Sequence, residues 1–153
     1  MNIIVEGPDG AGKTYLANQL AAILNMEIRH FSAPQSDKEA KNQFNMYRDV
    51  GLESDGIILD RAWYSDMVYG PIFRGEAIIS SNLMRELERG YGDSVVIYCT
   101  GEPKKMWKAA QERGEDYVHS YKQYKEVCKR YDDVFNNLYH LIPVHTRRAE
   151  WLN

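Results

Sequence analysis

An eight-residue segment near the start of the chain has the residue types and spacing that suit phosphate binding. Residues 7–14 read Gly-Pro-Asp-Gly-Ala-Gly-Lys-Thr and match the pattern G-x-x-x-x-G-K-[ST]. Glycines allow the backbone to curl so that consecutive N–H groups point at phosphate oxygens. Lys13 would bring a positive charge to the β- and γ-phosphates, and the Thr14 hydroxyl could ligate Mg²⁺. The residues expected to contact ATP and its magnesium here are Gly7, Asp9, Gly10, Ala11, Gly12, Lys13 and Thr14.

A second candidate site is the Asp60–Arg61 pair, which follows an apolar run. The C-terminal ends of parallel strands form the edge of a sheet at which ligands bind. There the Asp60 carboxylate could hold a metal-bound water, and the Arg61 guanidinium could form a fork with a phosphate. A surface ion pair would look the same in sequence. The two residues by themselves therefore leave both interpretations open.

The elements that must position these residues are short apolar runs alternating with segments of helical period. Strands are expected at residues 2–5, 26–31, 56–60, 94–100 and 140–144. Helices are expected at residues 13–24, 38–50, 63–73, 81–89, 103–112 and 118–138. Continuously apolar strands between helices are typical of a parallel sheet covered on both faces. The chain is therefore predicted to have an α/β fold, with a central parallel sheet of about five strands and helices on both faces.

Single residues predict where several helices begin, end and pack. Asp37 is expected to cap the second helix, while Gly51 and Gly90 are expected to end the second and the fourth. Pro103 suits the first position of the fifth. The buried side of the first helix is expected to carry Leu16, Leu20, Ile23 and Leu24. The buried face of the last helix is expected to carry Tyr121, Tyr124, Cys128, Tyr131, Phe135 and Leu138.

Length and composition limit the class of protein. The 153 residues suit one domain, spanning 1–153, and 44% of them are hydrophobic and 27% charged, as in an ordinary globular protein. A net charge of −3 gives no non-specific attraction to nucleic acid or to an anionic membrane. No apolar run approaches the length of a membrane span. Cys99 and Cys128 fit no metal-binding spacing, so we expect reduced thiols in a cytoplasmic protein.

Three separated motifs between residues 3 and 131 resemble the thymidylate kinase family, of which this chain would be a short variant. The first, at residues 6–14, is similar to E-G-x-D-x-A-G-K-[ST]. The second, at residues 60–70, resembles D-R-Y-x-x-S-x-x-A-Y-Q. The third is Phe44 with Arg48, similar to a Phe-x-x-x-Arg pair on the helix after the second strand, where both lie on one face. The positions of the second motif that match in spacing are Asp60, Arg61, Ser65 and Tyr69.

The resemblance implies a P-loop kinase fold and a role for several residues in binding the acceptor substrate. Asp9 would accept a hydrogen bond from the 3′-hydroxyl of the acceptor, and Arg61 would bind its phosphate. Phe44 would stack on the base, and Arg48 would donate to a base carbonyl. Tyr69 would pack where a ribose 2′-hydroxyl would need to be, which favours deoxy substrates. Each of these residues also has an ordinary structural interpretation, as a core or solvated side chain.

This chain departs from the family pattern at two positions of the second motif. Ala62 replaces a tyrosine, and Gly70 replaces a glutamine that contacts the base, so the base preference is open. The family usually has a basic residue on the second strand that helps to hold the acceptor phosphate. Arg29 or His30 could serve here, and the sequence does not choose between them.

Residues 112–118 resemble the lid of nucleoside monophosphate kinases because they are charged, contain a glycine and lie between two expected helices. Phosphoryl transfer needs positive charge on the moving group and exclusion of water. In this family the arginine comes from the P-loop or from the lid. Since Ala11 occupies the P-loop position, Arg113 is the expected residue. The other interpretation is a helix C-terminus with an arginine near its last carbonyls. Arg147 and Arg148 are expected after the last strand, as part of an adenine pocket or of a basic tail.

The function that the resemblance implies is transfer of the γ-phosphoryl group of ATP to a deoxynucleoside 5′-monophosphate, with dTMP as the first candidate. Lys13, Arg61 and Arg113 would be catalytic, and Thr14 with Asp60 would hold Mg²⁺. The alternatives are a deoxynucleoside kinase that acts on free nucleosides and a non-catalytic nucleotide-binding switch. The expected partners are small nucleotides, and a homodimer is a further expectation because the family is commonly dimeric.

Overall fold

The computed structural model describes residues 1–53, 55–114 and 117–149, except for the side chain of Glu53. The strands are β1 (Asn2–Glu6), β2 (Glu27–His30), β3 (Ile57–Asp60), β4 (Ser94–Thr100) and β5 (Val144–Arg148). The helices are α1 (Lys13–Leu24), α2 (Asp37–Glu53), α3 (Tyr64–Phe73), α4 (Ser81–Tyr91), α5 (Pro103–Glu112) and α6 (Tyr121–Asn137). The predicted lid near 112–118 is described only in part, because residues 115 and 116 lie outside the described residues.

The five strands form one parallel sheet in the order β2-β3-β1-β4-β5, with helices on both faces. This confirms the predicted α/β fold. The buried central strand β1 pairs with β3 on one side and β4 on the other, and Val5 lies opposite Asp60. Because parallel strands end at the same edge of the sheet, the loop after β1 and the residues after β3 come together there.

Most element boundaries agree with the expectations, and the exception at Gly51 has a packing cause. Helix α2 continues through Gly51, whose missing side chain leaves room for the ring of Tyr91, since a Cβ there would lie 2.9 Å from that ring. Helix α4 runs past Gly90 to Tyr91. Its C-cap is Gly92, which has a positive φ of 57°. Asp37 is the first residue of α2 rather than its cap, and the backbone N–H of Glu39 donates to the Ser36 hydroxyl instead.

The last strand lies four residues later than expected. The prediction of a strand at 140–144 was wrong, because β5 pairs with β4 from Val144 opposite Val96 to Arg148 opposite Thr100. His140 is instead held by hydrogen bonds to Glu88 and to the Val134 carbonyl, which fix the chain before it reaches the sheet.

The two amphipathic helices singled out from the sequence behave differently. The aromatic stripe of α6 is buried as predicted at Tyr124, Cys128, Tyr131 and Phe135. In α1, by contrast, Ala17 is buried while Ile23 is 78% exposed and Leu24 is 46% exposed. The expected apolar face of α1 was therefore wrong in its second half. None of the described helices is long and apolar enough to cross a bilayer.

Candidate active site

The loop between β1 and α1 has the backbone geometry that its glycines predict. Gly7, Gly10 and Gly12 have φ angles of 148°, 84° and 84°. A Cβ on Gly7 would lie 2.1 Å from the Cys99 carbonyl oxygen, and one on Gly10 would lie 2.1 Å from that of Met106. The loop therefore needs glycine for its backbone conformation and also for its close packing on β4 and α5.

Lys13 is folded over this loop. Its side chain is 8% exposed, and its ammonium group donates to the Pro8 carbonyl at 2.9 Å and lies 3.9 Å from the Asp9 carboxylate. Burial lowers the pKa of Lys13, and the nearby charge of Arg61 lowers it further. An anion bound in the loop would favour the charged ammonium, so the geometry suits a phosphate contact.

Thr14 and Asp60 meet at the same edge of the sheet, where the Thr14 hydroxyl donates to Asp60 Oδ2 at 2.8 Å. His30 Nδ1 lies 2.9 Å from the same oxygen. Arg29, the other candidate on β2, is 3.5 Å from Glu27, so only His30 contacts this part of the site. A hydroxyl and a carboxylate are hard oxygen ligands of the kind that Mg²⁺ takes alongside water and phosphate oxygens. The residues present therefore fit a P-loop magnesium site.

Arg61 is held in an unusual conformation at the centre of the site. Its φ of 74° is left-handed, and its N–H donates to the Val5 carbonyl at 2.8 Å. Its guanidinium contacts Asp9 Oδ1 through Nη2 at 2.8 Å, and Ser65 and Tyr131 through Nη1 at 2.9 and 3.0 Å. A strained backbone conformation together with several side-chain hydrogen bonds is typical of a residue that the surrounding structure holds in place for function.

The group that holds Arg61 is a buried hydrogen-bond network that we call the Glu6 cluster, formed by Glu6, Arg61, Ser65 and Tyr131. The Glu6 carboxylate accepts bonds from the backbone N–H groups of Gly7, Ala62 and Ser65, and from the hydroxyls of Ser65 and Tyr131. Burial raises the pKa of Glu6, and the charge of Arg61 opposes this.

The Glu6 cluster is the part of the site that sequence reasoning missed. The sequence assigns Glu6 only to the first motif and Tyr131 only to the buried face of the last helix, and it predicts no contact between them. The available signal was an acidic residue directly after the apolar run Ile3-Ile4-Val5, since a charge at the end of a buried strand needs several partners.

A cavity of about 320 Å³ opens beside Arg61. We call it the Asp9–Arg61 cavity. Two aromatic side chains, Phe31 and Tyr117, line it together with the charged pair. Its remaining lining residues are Ser32, Ala33 and Gln35. Such a combination of flat rings and a few polar groups is typical of a ligand site.

Phe44 and Arg48 are not among the residues that line the Asp9–Arg61 cavity. They share one face of α2, as their spacing predicts, with the Arg48 guanidinium 5.9 Å from the centroid of the Phe44 ring. They line a separate cavity of about 40 Å³ between α2 and α4, with Leu87 and Tyr91. Their predicted contacts with an acceptor base therefore gain no support from their position.

Tyr69 is buried next to the site. Its ring centroid lies 5.6 Å from the Arg61 guanidinium and 5.4 Å from the ring centroid of Tyr117. Tyr69 thus packs against Arg61 and Tyr117, two residues that line the Asp9–Arg61 cavity.

Arg113 lines a third cavity, of about 490 Å³, with Tyr15, Gln19 and Arg147. Arg113 is the C-cap of α5, so it occupies the helix end and also faces a cavity beside the start of α1. Arg147 and Arg148 lie in β5 and not after it, which corrects their expected place.

Comparison with known proteins relates this chain to solved structures, although no family model and no curated protein matches it. The YorR protein from Bacillus subtilis, in complex with phosphorylated GDP, is 27% identical with a TM-score of 0.75, over 97% of this chain and 85% of that one. Deoxyadenosine kinase from M. mycoides with bound dATP is 16% identical with a TM-score of 0.70, over 98% and 92%.

A gluconokinase from Sinorhizobium meliloti is also similar, with 10% identity and a TM-score of 0.67 over 97% of this chain and 82% of that one. The fold is therefore that of P-loop kinases, a class of phosphotransferases, and it agrees with the phosphate-binding geometry of the loop. The likeness does not single out thymidylate kinase.

Proposed function

We propose that this protein transfers the γ-phosphoryl group of ATP to a deoxynucleoside 5′-monophosphate, giving the diphosphate and ADP. The observation that carries the proposal is the 2.8 Å contact between Arg61 and Asp9 at the cavity they line, beside Lys13. An arginine offers a fork to the acceptor phosphate, and an aspartate accepts a hydrogen bond from the sugar 3′-hydroxyl. The rings of Phe31 and Tyr117 offer flat surfaces to a base.

The donor nucleotide would be bound by the loop of residues 7–14. Its backbone N–H groups and the start of α1 favour negative charge, and Lys13 adds a cation. Thr14 and Asp60 would hold Mg²⁺, which would neutralise charge on the phosphates during transfer. Arg113 faces the cavity beside α1, so it would contribute further positive charge near the donor phosphates.

Direct in-line transfer fits these residues because a phosphate oxygen is already a good nucleophile. No strong general base is needed, so the protein has to position two anions and to stabilise the charge between them. Arg61 and Asp9 would fix the acceptor, while Lys13 and Arg113 would stabilise the transferred group.

The base of the acceptor is the least determined part of the proposal. dTMP follows from the resemblance, but the two residues that would contact thymine, Phe44 and Arg48, line another cavity. The complex of YorR with phosphorylated GDP gives a reason to include purine nucleotides among the candidates. We therefore extend the proposal to dTMP or another deoxynucleoside monophosphate.

A deoxynucleoside kinase is the second candidate, because several of the similar structures are deoxyadenosine kinases. A 5′-hydroxyl acceptor usually needs a carboxylate as general base. Here the Asp60 carboxylate is bonded to Thr14 and His30, and the Asp9 carboxylate to Arg61. Both carboxylates are thus held by donors, and the reason to place a monophosphate first is Arg61, whose guanidinium at the cavity can bind an acceptor phosphate.

Release of ADP from ATP-Mg²⁺ in a coupled assay tests the proposal. The acceptors are the deoxynucleoside monophosphates, the ribonucleoside monophosphates and the free deoxynucleosides. We expect turnover with a deoxy monophosphate, and a loss of kcat/KM of roughly 10²–10³-fold or more in Lys13→Ala and in Arg61→Ala. Arg89→Ala, at an exposed position on α4, is the matched control and should keep full activity.

Turnover with free nucleosides only would transfer the function to the second candidate. ATP binding without turnover of any acceptor would contradict both kinase functions and would favour a non-catalytic switch.

The cytoplasmic location, the single domain and the homodimer remain predictions. Light scattering would test the homodimer.

A further inference from the structure

A fourth cavity, of about 390 Å³, adjoins the Asp9–Arg61 cavity. We call it the Gln123 cavity. Two residues, Gln35 and Tyr117, line both cavities. The other residues that line the Gln123 cavity are Phe73 of α3, His119 and, on α6, Gln123. The two cavities are therefore two parts of one cleft, with Arg61 in the first part and Gln123 in the second.

The ring of Tyr117 forms a wall of both parts of the cleft. It packs on Phe73 and on Tyr69, with ring centroids 4.8 and 5.4 Å apart. The rings of Phe73 and Tyr69 also stack on each other at 6.0 Å. Ligand sites are commonly built from such aromatic side chains together with a few polar groups. The Gln123 cavity therefore has an apolar wall that suits a flat ring.

The polar side chains of the Gln123 cavity have hydrogen-bonding capacity that the described part of the chain does not use. Neither the two amides, of Gln35 and Gln123, nor the imidazole of His119 forms a hydrogen bond with another described residue. The backbone N–H of Gln123 donates to the hydroxyl of Ser120, the N-cap of α6, at 3.2 Å. The helix thus holds the backbone of Gln123 in place, and its side-chain amide still offers a donor next to an acceptor.

The expected position of the acceptor phosphate decides which cavity can take the base. With Arg61 on that phosphate and Asp9 on the sugar 3′-hydroxyl, the base lies beyond the sugar in the same cleft. The Gln123 cavity meets this requirement, because it shares two lining residues with the Asp9–Arg61 cavity. The cavity of Phe44 and Arg48 shares none with it among the residues that the structure describes.

The lining of the Gln123 cavity suits a neutral base, since its described residues include no carboxylate, lysine or arginine. An amide can pair with the edge of every base. Adenine and cytosine place an amino group next to a ring nitrogen that accepts. Guanine and thymine place a carbonyl next to a ring N–H that donates. Turning the amide reverses the order of its donor and acceptor, so one glutamine fits both kinds of edge.

We propose that the base of the acceptor nucleotide binds in the Gln123 cavity, against the rings of Tyr117 and Phe73. The amides of Gln35 and Gln123 hydrogen-bond to its edge. Because an amide fits each base in one of its two orientations, the protein accepts both purine and pyrimidine deoxynucleoside monophosphates. This inference rests on the proposed function, which places the acceptor phosphate on Arg61.

The first test measures binding to the unchanged protein, so it does not depend on the folding of a variant. Dissociation constants are measured by calorimetry for dAMP, dCMP, dGMP, dTMP and the abasic 2-deoxyribose 5-phosphate. We expect the four nucleotides to bind within about tenfold of one another, because stacking on an aromatic ring tolerates any base. Each should bind at least about tenfold more tightly than the abasic phosphate, which lacks the stacked ring.

The second test uses Gln123→Ala, which removes one amide and leaves Arg61 and its contacts in place. We expect the four nucleotides to bind about three- to tenfold more weakly, while the abasic phosphate binds as before. Gln35→Ala should act in the same direction. Asn136→Ala, which removes an amide from an exposed position on the same helix, should keep the dissociation constants of the unchanged protein.

The proposal is overturned if the abasic phosphate binds as tightly as the nucleotides. It is also overturned if one nucleotide binds more than about tenfold more tightly than the other three, since the site would then select a single base. A third contrary result is that Arg48→Ala weakens nucleotide binding and Gln123→Ala does not, because the base would then lie between α2 and α4.

These binding results are distinct from failure of the proposed function, which concerns turnover. If the nucleotides bind as expected and none is phosphorylated, the proposed function fails and the position of the base stands. If a deoxynucleoside monophosphate is phosphorylated and Gln123→Ala binds it as tightly as the unchanged protein does, the proposed function stands and this inference fails.

Discussion

The Glu6 cluster and a pair of donors near Asp66, the Tyr47 hydroxyl and Arg74 Nε–H, are all buried and polar, but their hydrogen bonds are arranged in opposite ways. In the Glu6 cluster, five donors converge on one carboxylate, and Arg61 contacts three side chains. Near Asp66, by contrast, the Tyr47 hydroxyl and Arg74 Nε are left without partners among the described residues. Arg61 lines the Asp9–Arg61 cavity, whereas Tyr47 and Arg74 do not.

The difference in hydrogen bonding indicates which side chains are already held in place before a substrate binds. A satisfied buried network is rigid, and it fixes the Arg61 guanidinium beside Asp9 at the cavity. We therefore interpret the Glu6 cluster as the fixed part of the site.

A third buried carboxylate, Glu88, provides a comparison outside the site. It accepts bonds from the Tyr64 hydroxyl at 2.6 Å, from the backbone N–H of Leu141 at 2.9 Å and from His140 at 2.7 Å. Its environment resembles that of Glu6, but it borders none of the cavities described above. Glu88 and His140 should therefore contribute to stability alone.

The largest effect is expected from Glu6→Gln, which replaces one acceptor oxygen with an amino group that faces donors. Removing a buried charged partner in this way should lower the free energy of unfolding by about 3–5 kcal/mol. Urea unfolding followed by circular dichroism would measure the change. A loss below about 1 kcal/mol would mean that the cluster is not the fixed part of the site.

A smaller effect is expected from Tyr131→Phe, which removes the hydroxyl that links Glu6 to Arg61. The free energy of unfolding should fall by about 1–3 kcal/mol, because the remaining polar groups lose a partner. The acceptor KM should also rise, since Arg61 is less firmly held. Tyr47→Phe is the matched control on the other side of the comparison.

The Tyr47 hydroxyl has no partner among the described residues, so Tyr47→Phe should not destabilise the protein. The free energy of unfolding should stay the same or rise, because the variant no longer buries an unsatisfied donor. If Tyr47→Phe destabilised the protein as much as Tyr131→Phe, the distinction between the two groups would fail.

The smallest effect is a dependence of stability on pH at His140. Burial lowers the pKa of His140, but its bonds to Glu88 and to the Val134 carbonyl raise it more, so the net direction is upward from 6.5. A raised pKa in the folded state means that the stabilisation is complete below about pH 6.5 and is lost as pH rises through the raised value. Urea unfolding between pH 6 and pH 9 should show this decline, and His140→Asn should lack it. An unchanged slope in the variant would assign the decline to other groups.

The parts of the site that lie close together along the chain could be predicted from the sequence. The glycine spacing of residues 7–14 gave the phosphate loop, and the apolar run before Asp60 placed that carboxylate at the same edge of the sheet as Thr14. The strand–helix alternation gave the parallel sheet. These features depend on backbone conformation and hydrophobic periodicity over a few residues, which the sequence expresses directly.

Helix ends, and contacts between distant residues, were harder to predict. Gly51 looked like the end of a helix, because glycine is a frequent helix stop, but the packing of Tyr91 made it an interior position. Phe44 and Arg48 had the spacing of a ligand-binding pair, and tertiary packing turned them toward α4. In each case, a neighbour distant in sequence outweighed the local preference.

The sequence by itself determined the sheet, the phosphate loop and the residue types available at its edge, because short-range sterics and periodic burial set these. Only the tertiary structure decided which of those side chains meet. Glu6 and Tyr131 are 125 positions apart in the chain, and Arg74 and Asp37 are 37 positions apart. Each pair forms a hydrogen bond because the helices pack on the sheet. Hydrogen bonds over such separations form only when the whole core closes, so no local pattern in the chain records them.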